Sequence, residues 1–361
     1  MRLVDERQLS DIALGAGILG TGGGGDPYIG MLLAREAIRE HGPVEVVDLD
    51  EVPDDAFVIP SAMMGAPTVM VEKLPSGDEV VTAFRKLEHH LGQRATHTMP
   101  IEIGGMNSMI PFCLAARERL PMIDADLMGR AFPELQMCMP TLFGGKAAPM
   151  AIADDKGNAS IIDAIDNRWT ERLARSQTID MGCAALIGLY PLAAERLREC
   201  TIPNTLRTAE ELGRLVRETR EAHGDPAAVV PKYLGGVQLF QGKVVDVHRR
   251  TEGGFARAEV RIEGLHDDAG ATLRLQTQNE HLVAERDGEI LASVPDLIMV
   301  LDSETGQPIT TEDLRYGFRV TVAAAPCDPR WRTPAGLEIV GPRYFGYDFD
   351  FVPIEERFPV R

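Results

Sequence analysis

Apolar positions in the first twenty residues recur at three- and four-residue steps. Leu9, Ile12, Ala13, Ala16 and Leu19 share one face, with Asp5, Glu6 and Asp11 off it, which predicts an amphipathic helix over residues 5–19. Asp26 and Pro27 suit the N-cap and first position of a second helix, "YIGMLLAREAIREHG". Next come β-patterned runs at 44–49 and 56–60, a helical pattern at 79–92, a strand "MPIEIGG" at 99–105 running into a glycine turn, and a helix at 108–120. Strands alternating with helices at this spacing predict an α/β layer domain over residues 1–165.

The period changes after residue 165. "RWTERLARSQ", "AALIGLYPLAAERLREC" and "TAEELGRLVRETREAHG" read as a helical connection, the last opening with a Thr208…Glu211 capping box. From about 235 the pattern is strand-rich, with turns at Arg286-Asp287-Gly288 and Thr305-Gly306. Residues 166–361 are therefore expected to hold a helical connection and a β-rich, α+β C-terminal domain.

Composition narrows the partners. A formal charge of −18 disfavours nucleic acid and anionic membranes. No run approaches the roughly 20 apolar residues of a membrane span. The five cysteines form no CxxC pair, so neither a disulfide framework nor a zinc knuckle is indicated. The opening "MRLVDERQLSD" lacks the apolar core of a secretory signal, which sets a cytoplasmic expectation. The acidic charge and the aromatic C-terminal cluster allow a homo-oligomer without requiring one.

"LGTGGGGDP" places five glycines in six positions, Gly20 and Gly22 to Gly25. Gly20, Gly22 and Gly25 formally satisfy a dinucleotide fingerprint, with Asp48 and Asp50 as ribose acids, but that motif must follow a strand and here follows helical spacing. No Lys-Ser/Thr pair follows, so a P-loop is not indicated, and no nucleotide is expected. Consecutive glycines before a helix N-terminus instead expose backbone N–H groups suited to a carboxylate, oxyanion or thiolate. Gly22, Gly23, Gly24, Gly25 and Asp26 are accordingly the candidate substrate-binding loop. A tight packing turn is the plainer alternative.

Other polar residues interrupt apolar sequence. Glu102, beside Gly104-Gly105, could face a layer interface or solvent, and Asn107 opens the next helix. "MIDADLMGRAFPELQM" carries Asp124, Asp126, Arg130 and Glu134, a base or metal-ligand pair or else an ion-paired knot. His97 could reach the Glu102 strand end. Cys183 could be a nucleophile near a helix N-terminus or a small core thiol. Asn279-Glu280-His281 breaks a β pattern, and Tyr344, Phe345, Tyr347, Phe349 and Phe351 cluster as a core patch or the wall of a flat-ring pocket.

"ILGTGGGGDPYIG", "EIGGMNS", "DADLMGRAFPELQM", "VPDLIMVLDSETGQPITTEDLRYGFRV" and "VGPRYFGYDFDFVPI" together resemble the S-methyl-thiohydantoin desulfurase-like family across nearly the whole chain. Members of that family often occur beside, or fused to, hydantoinase/oxoprolinase proteins. The resemblance implies an N-terminal α/β domain with the glycine motif, a β-rich C-terminal domain, and removal of sulfur from a five-membered ring to leave a hydantoin. It carries over Gly22 to Asp26, Glu102, Asn107, Asp124 and Asp126 as motif positions. The expectation is then a hydrolase of a small cyclic thioamide or imide ring, with Asp126, Glu102 and Asp124 as catalytic carboxylates. Asp126 is the first choice for the base, and a divalent metal could replace it. The rival expectations are a non-catalytic, substrate-handling partner of a hydantoinase-type enzyme, and a nucleotide-dependent enzyme.

Overall fold

A computed structural model describes residues 1–65, 69, 75–252 and 255–359. Helix α1 spans Glu6–Leu19 behind a capping box between Asp5 and Gln8, and α2 spans Pro27–His41 with the Asp26 carboxylate capping the Tyr28 amide. Both follow the hydrophobic period. α1 crosses the helix Thr205–Glu221 at very short range, because a Cβ at Gly15 would lie 1.9 Å from the Ala209 carbonyl oxygen. Gly213 makes the reciprocal contact with Asp11.

The first part of the chain builds a nine-stranded mixed sheet. Its parallel centre runs β2 (Val44–Val47), β5 (Met122–Ile123), β4 (His97–Pro100), β3 (Phe57–Gly65). β3 is buried along almost its whole length, as a strand covered on both faces must be. Antiparallel strands β1 (Arg2–Val4), β7 (Met150–Ala153), β8 (Ala159–Ile162), β9 (Ala184–Gly188) and β10 (Leu192–Ala193) complete the sheet. Two short strands, β6 (Ala125–Asp126) and β11 (Ile202–Pro203), pair separately. The C-terminal strands span Val237–Glu252 (β12), Phe255–Gly264 (β13), Thr272–Gln278 (β14), Glu280–Arg286 (β15), Glu289–Ser293 (β16), Leu297–Asp302 (β17) and Arg319–Ala325 (β18). They form a seven-stranded antiparallel sheet, order β16-β15-β14-β13-β12-β18-β17. Among the described residues no helix is long and apolar enough to cross a membrane.

Three local expectations are corrected. "AALIGLYPLAAERLREC" is not one helix: Ala184–Gly188 is the strand β9 between β3 and β7, and only Ala194–Cys200 is helical. A short apolar run buried on both faces has no period to distinguish the two states. The later helix starts at Thr205, after Asn204 in the left-handed conformation, so Thr208 lies inside it and forms no capping box. The Asp124 carboxylate accepts instead from the Leu206 and Arg207 amides at 2.9 and 3.2 Å. The "MPIEIGG" strand ends at Pro100, and the Ile103 amide is diverted to Asp126.

Candidate active site

The glycine turn is shaped by what surrounds it. Gly22, Gly24 and Gly25 have φ of +89°, +80° and +81°, a left-handed path that glycine alone follows without strain. At Gly20 and Gly24 an added Cβ would strike the Gly104 backbone, and at Gly22 it would lie 2.5 Å from the His281 ring. At Gly23 it would lie 2.2 Å from the Glu280 carboxyl. The cluster therefore accommodates the protein's own residues, from both parts of the chain. The carbonyls of Gly24 and Gly25 accept from the Asn107 and Met106 amides at 3.2 and 3.3 Å. Among the described residues no acceptor takes the amides of Gly24 or Gly25.

A narrow cleft of about 70 Å³ opens beside this turn, between the two parts of the chain. Gly24, Gly25, Glu102, Asn107, Phe132 and Glu280 contribute to its walls. Glu102 is 4 % exposed and follows the C-terminal end of β4, the end at which open α/β sheets bind ligands. Its Oε1 accepts from Asn107 Nδ2 at 2.7 Å, and its Oε2 from the Phe132 amide at 3.3 Å. Asn107 Oδ1 in turn accepts from the Met63 amide at 2.7 Å, which fixes its amide orientation. Burial pushes the Glu102 carboxyl up to about 7, against the lowering effect of those two donors.

Arg130 is fully buried behind the cleft. It is not the ion-paired knot expected from its neighbours in sequence: its hydrogen bonds run to neutral oxygens. Nη1 donates to the Pro295 and Asp296 carbonyls at 3.0 and 2.7 Å, and Nη2 to Thr21 Oγ1 at 2.7 Å and the His281 carbonyl at 3.3 Å. Burial lowers its pKa only to about 10, so it stays cationic at neutral pH.

The other candidates stand elsewhere. Asp126 is buried, but its Oδ2 collects the amides of Ile103, Met128 and Gly129 at 2.9, 3.0 and 2.8 Å and it does not line the cleft. Asp124 anchors a helix start, Asp26 caps α2, and Gly22 and Gly23 lie behind the cleft against His281 and Glu280. His97 begins β4, held to Thr96 Oγ1 at 2.8 Å, and does not line the cleft. Cys183 closes the helix Asn167–Asp180 rather than preceding one. Of the aromatic cluster, Tyr347 lines a separate groove of about 450 Å³ on the C-terminal sheet. The glycine motif follows helix α1, not the strand that a dinucleotide fingerprint needs. Among the described residues no three His, Cys, Asp or Glu side chains are grouped to hold a metal ion.

Models of the S-Me-THD-like N-terminal and C-terminal domains match residues 7–164 and 165–354. The chain belongs to the S-Me-THD-like family. Its fold is similar to that of a crystal structure of a protein from Chromobacterium violaceum, with a TM-score of 0.79 and 22 % identity, covering 98 % of this chain and 100 % of that one. No curated protein matches the chain. In this S-Me-THD-like chain the residue that sequence reasoning left without a role is Glu280. The only signal for it was a polar triplet interrupting a β pattern.

Proposed function

We propose that this S-Me-THD-like protein hydrolyses a small cyclic thioamide or S-alkyl isothiourea-type ring, replacing ring sulfur by oxygen and releasing sulfide or a thiol. The observation that carries this reading is Glu102. It is a buried carboxyl poised near 7, oriented by Asn107, in one cleft with two glycines whose amides have no acceptor among the described residues. A carboxylate of that strength suits removal of a proton from water at neutral pH. The Gly24 and Gly25 amides can donate to the anion that develops as the sulfur-bearing carbon becomes tetrahedral. Each such donor contributes about 2.7–4 kcal/mol in comparable sites.

The test is thiol release from 2-(methylthio)-imidazolone and sulfide release from 2-thiohydantoin, followed with a thiol reagent. Wild type should turn over at least one of them. Glu102→Gln should lower kcat by about 10²-fold or more with little change in calorimetric affinity. Binding without release of either product would instead favour a substrate-handling subunit and sink the hydrolase reading.

A further inference from the structure

Glu280 is the buried group that the reading above leaves unused. It opens β15 of the C-terminal sheet, is 3 % exposed, and lines the same cleft as Glu102, which follows β4 of the N-terminal sheet. Its Oε2 has no hydrogen-bond partner among the described residues, although it is shielded from bulk water. A buried carboxylate oxygen without a donor is costly unless the carboxyl keeps its proton or meets a ligand. The space it occupies depends on Gly23, where a methyl group would sit 2.2 Å from Oε1 and 2.5 Å from Cγ. That absence of a side chain leaves room for the Glu280 carboxyl beside the glycine turn.

The charges around it are Glu102, Arg130 and Glu312, with Glu134 and Arg175 also on the cleft wall and the His281 ring next in sequence. Burial and the Glu102 charge hold Glu280 well above the ordinary carboxylate range, while Arg130 pulls it down. His281 is neutral at physiological pH, because burial and Arg130 drive it down to about 3. Two carboxyls near one buried cation favour a state in which one keeps its proton.

We propose that Glu280 is the proton donor to the departing sulfur, working opposite Glu102 as the base. This rests on the desulfurising reading. Glu102 takes one proton from water as the C–O bond forms, and passes it to the ring nitrogen that receives the C=N electron pair. The C–S bond then breaks, Glu280 gives its proton to sulfur, and it recovers the hydroxyl proton as C=O forms. Water supplies one oxygen and two protons, and neither carboxyl is consumed.

The test compares a methylthio ring with its 4-nitrophenylthio analogue, whose thiolate leaves without protonation. Glu280→Gln should slow methanethiol release about 10²–10⁴-fold but restore near wild-type rates on the aryl analogue, whereas Glu102→Gln should slow both. An equal loss on both substrates for Glu280→Gln would overturn the assignment. Infrared difference spectra test it without turnover: wild type at pH 7 should show a protonated carboxyl band that Glu280→Gln removes. A wild type that releases neither thiol nor sulfide refutes the desulfurising reading, whereas absence of that band refutes the protonated Glu280 itself. A cooperative thermal transition in each variant establishes that it folds.

Discussion

Replacing Glu102 by glutamine while scanning pH links the geometry of the cleft to a stability measurement. In the unfolded chain Glu102 titrates near 4.5, and in the fold burial moves it to about 7. Below 4.5 both states hold the proton, so the glutamate contributes no pH dependence. Between 4.5 and 7 the folded state binds more protons than the unfolded state, which makes the linkage slope negative. Wild-type stability therefore falls as pH rises through this window and levels off above it. The gap corresponds to about 3 kcal/mol at 1.36 kcal/mol per pH unit. That is a sizeable part of the roughly 5–15 kcal/mol that holds a domain folded. Asp126 and Glu312 are also pushed up to about 7 by burial, so the wild-type curve alone mixes several groups. The difference between wild type and Glu102→Gln isolates one of them. Urea unfolding of both proteins from pH 4 to 8 should show the Glu102→Gln variant gaining about 3 kcal/mol relative to wild type across the window. Parallel curves would refute the claim that Glu102 is a proton-holding carboxyl.

Asp126→Asn should leave kcat for thiol release unchanged, because its Oδ2 gathers three backbone amides away from the cleft. Asn107→Ala removes the donor at 2.7 Å from Glu102, so the carboxyl rises further and the acidic limb of the kcat/KM profile should move to higher pH. Gly23→Ala should cost activity out of proportion to its thermal midpoint, since the new methyl displaces the Glu280 side chain rather than backbone.

Elements with a clean period were legible in the sequence, and those made by tertiary contact were not. α1 and α2 follow from their apolar spacing and from the Asp26-Pro27 start. β9 was hidden because both of its faces are covered and nothing in "AALIG" alternates. Glu102, Asn107 and the glycine turn were visible as polar or side-chain-free positions in apolar surroundings. The division of labour among the carboxylates was not. Asp126 sits in as apolar a segment as Glu102, and only folding shows that its oxygen faces three amides while Glu102 faces a cleft. Glu280 lies some 180 residues from Glu102 along the chain, so their meeting is a property of two sheets packed together.

Arg130 carries a consequence for how this protein can change over time. The cation belongs to the N-terminal half, whereas the carbonyls of Pro295, Asp296 and His281 that solvate it belong to the other. The turn beside it is tied across in the same way, with the His281 amide on the Thr21 carbonyl and the Thr311 amide on that of Gly22. An N-terminal half made alone would expose a cleft wall and leave a guanidinium without three of its five acceptors. The halves are thus poor candidates for shuffling onto other partners, and a substitution at residues 279–281 is inherited successfully only alongside a compatible glycine turn more than 250 residues upstream.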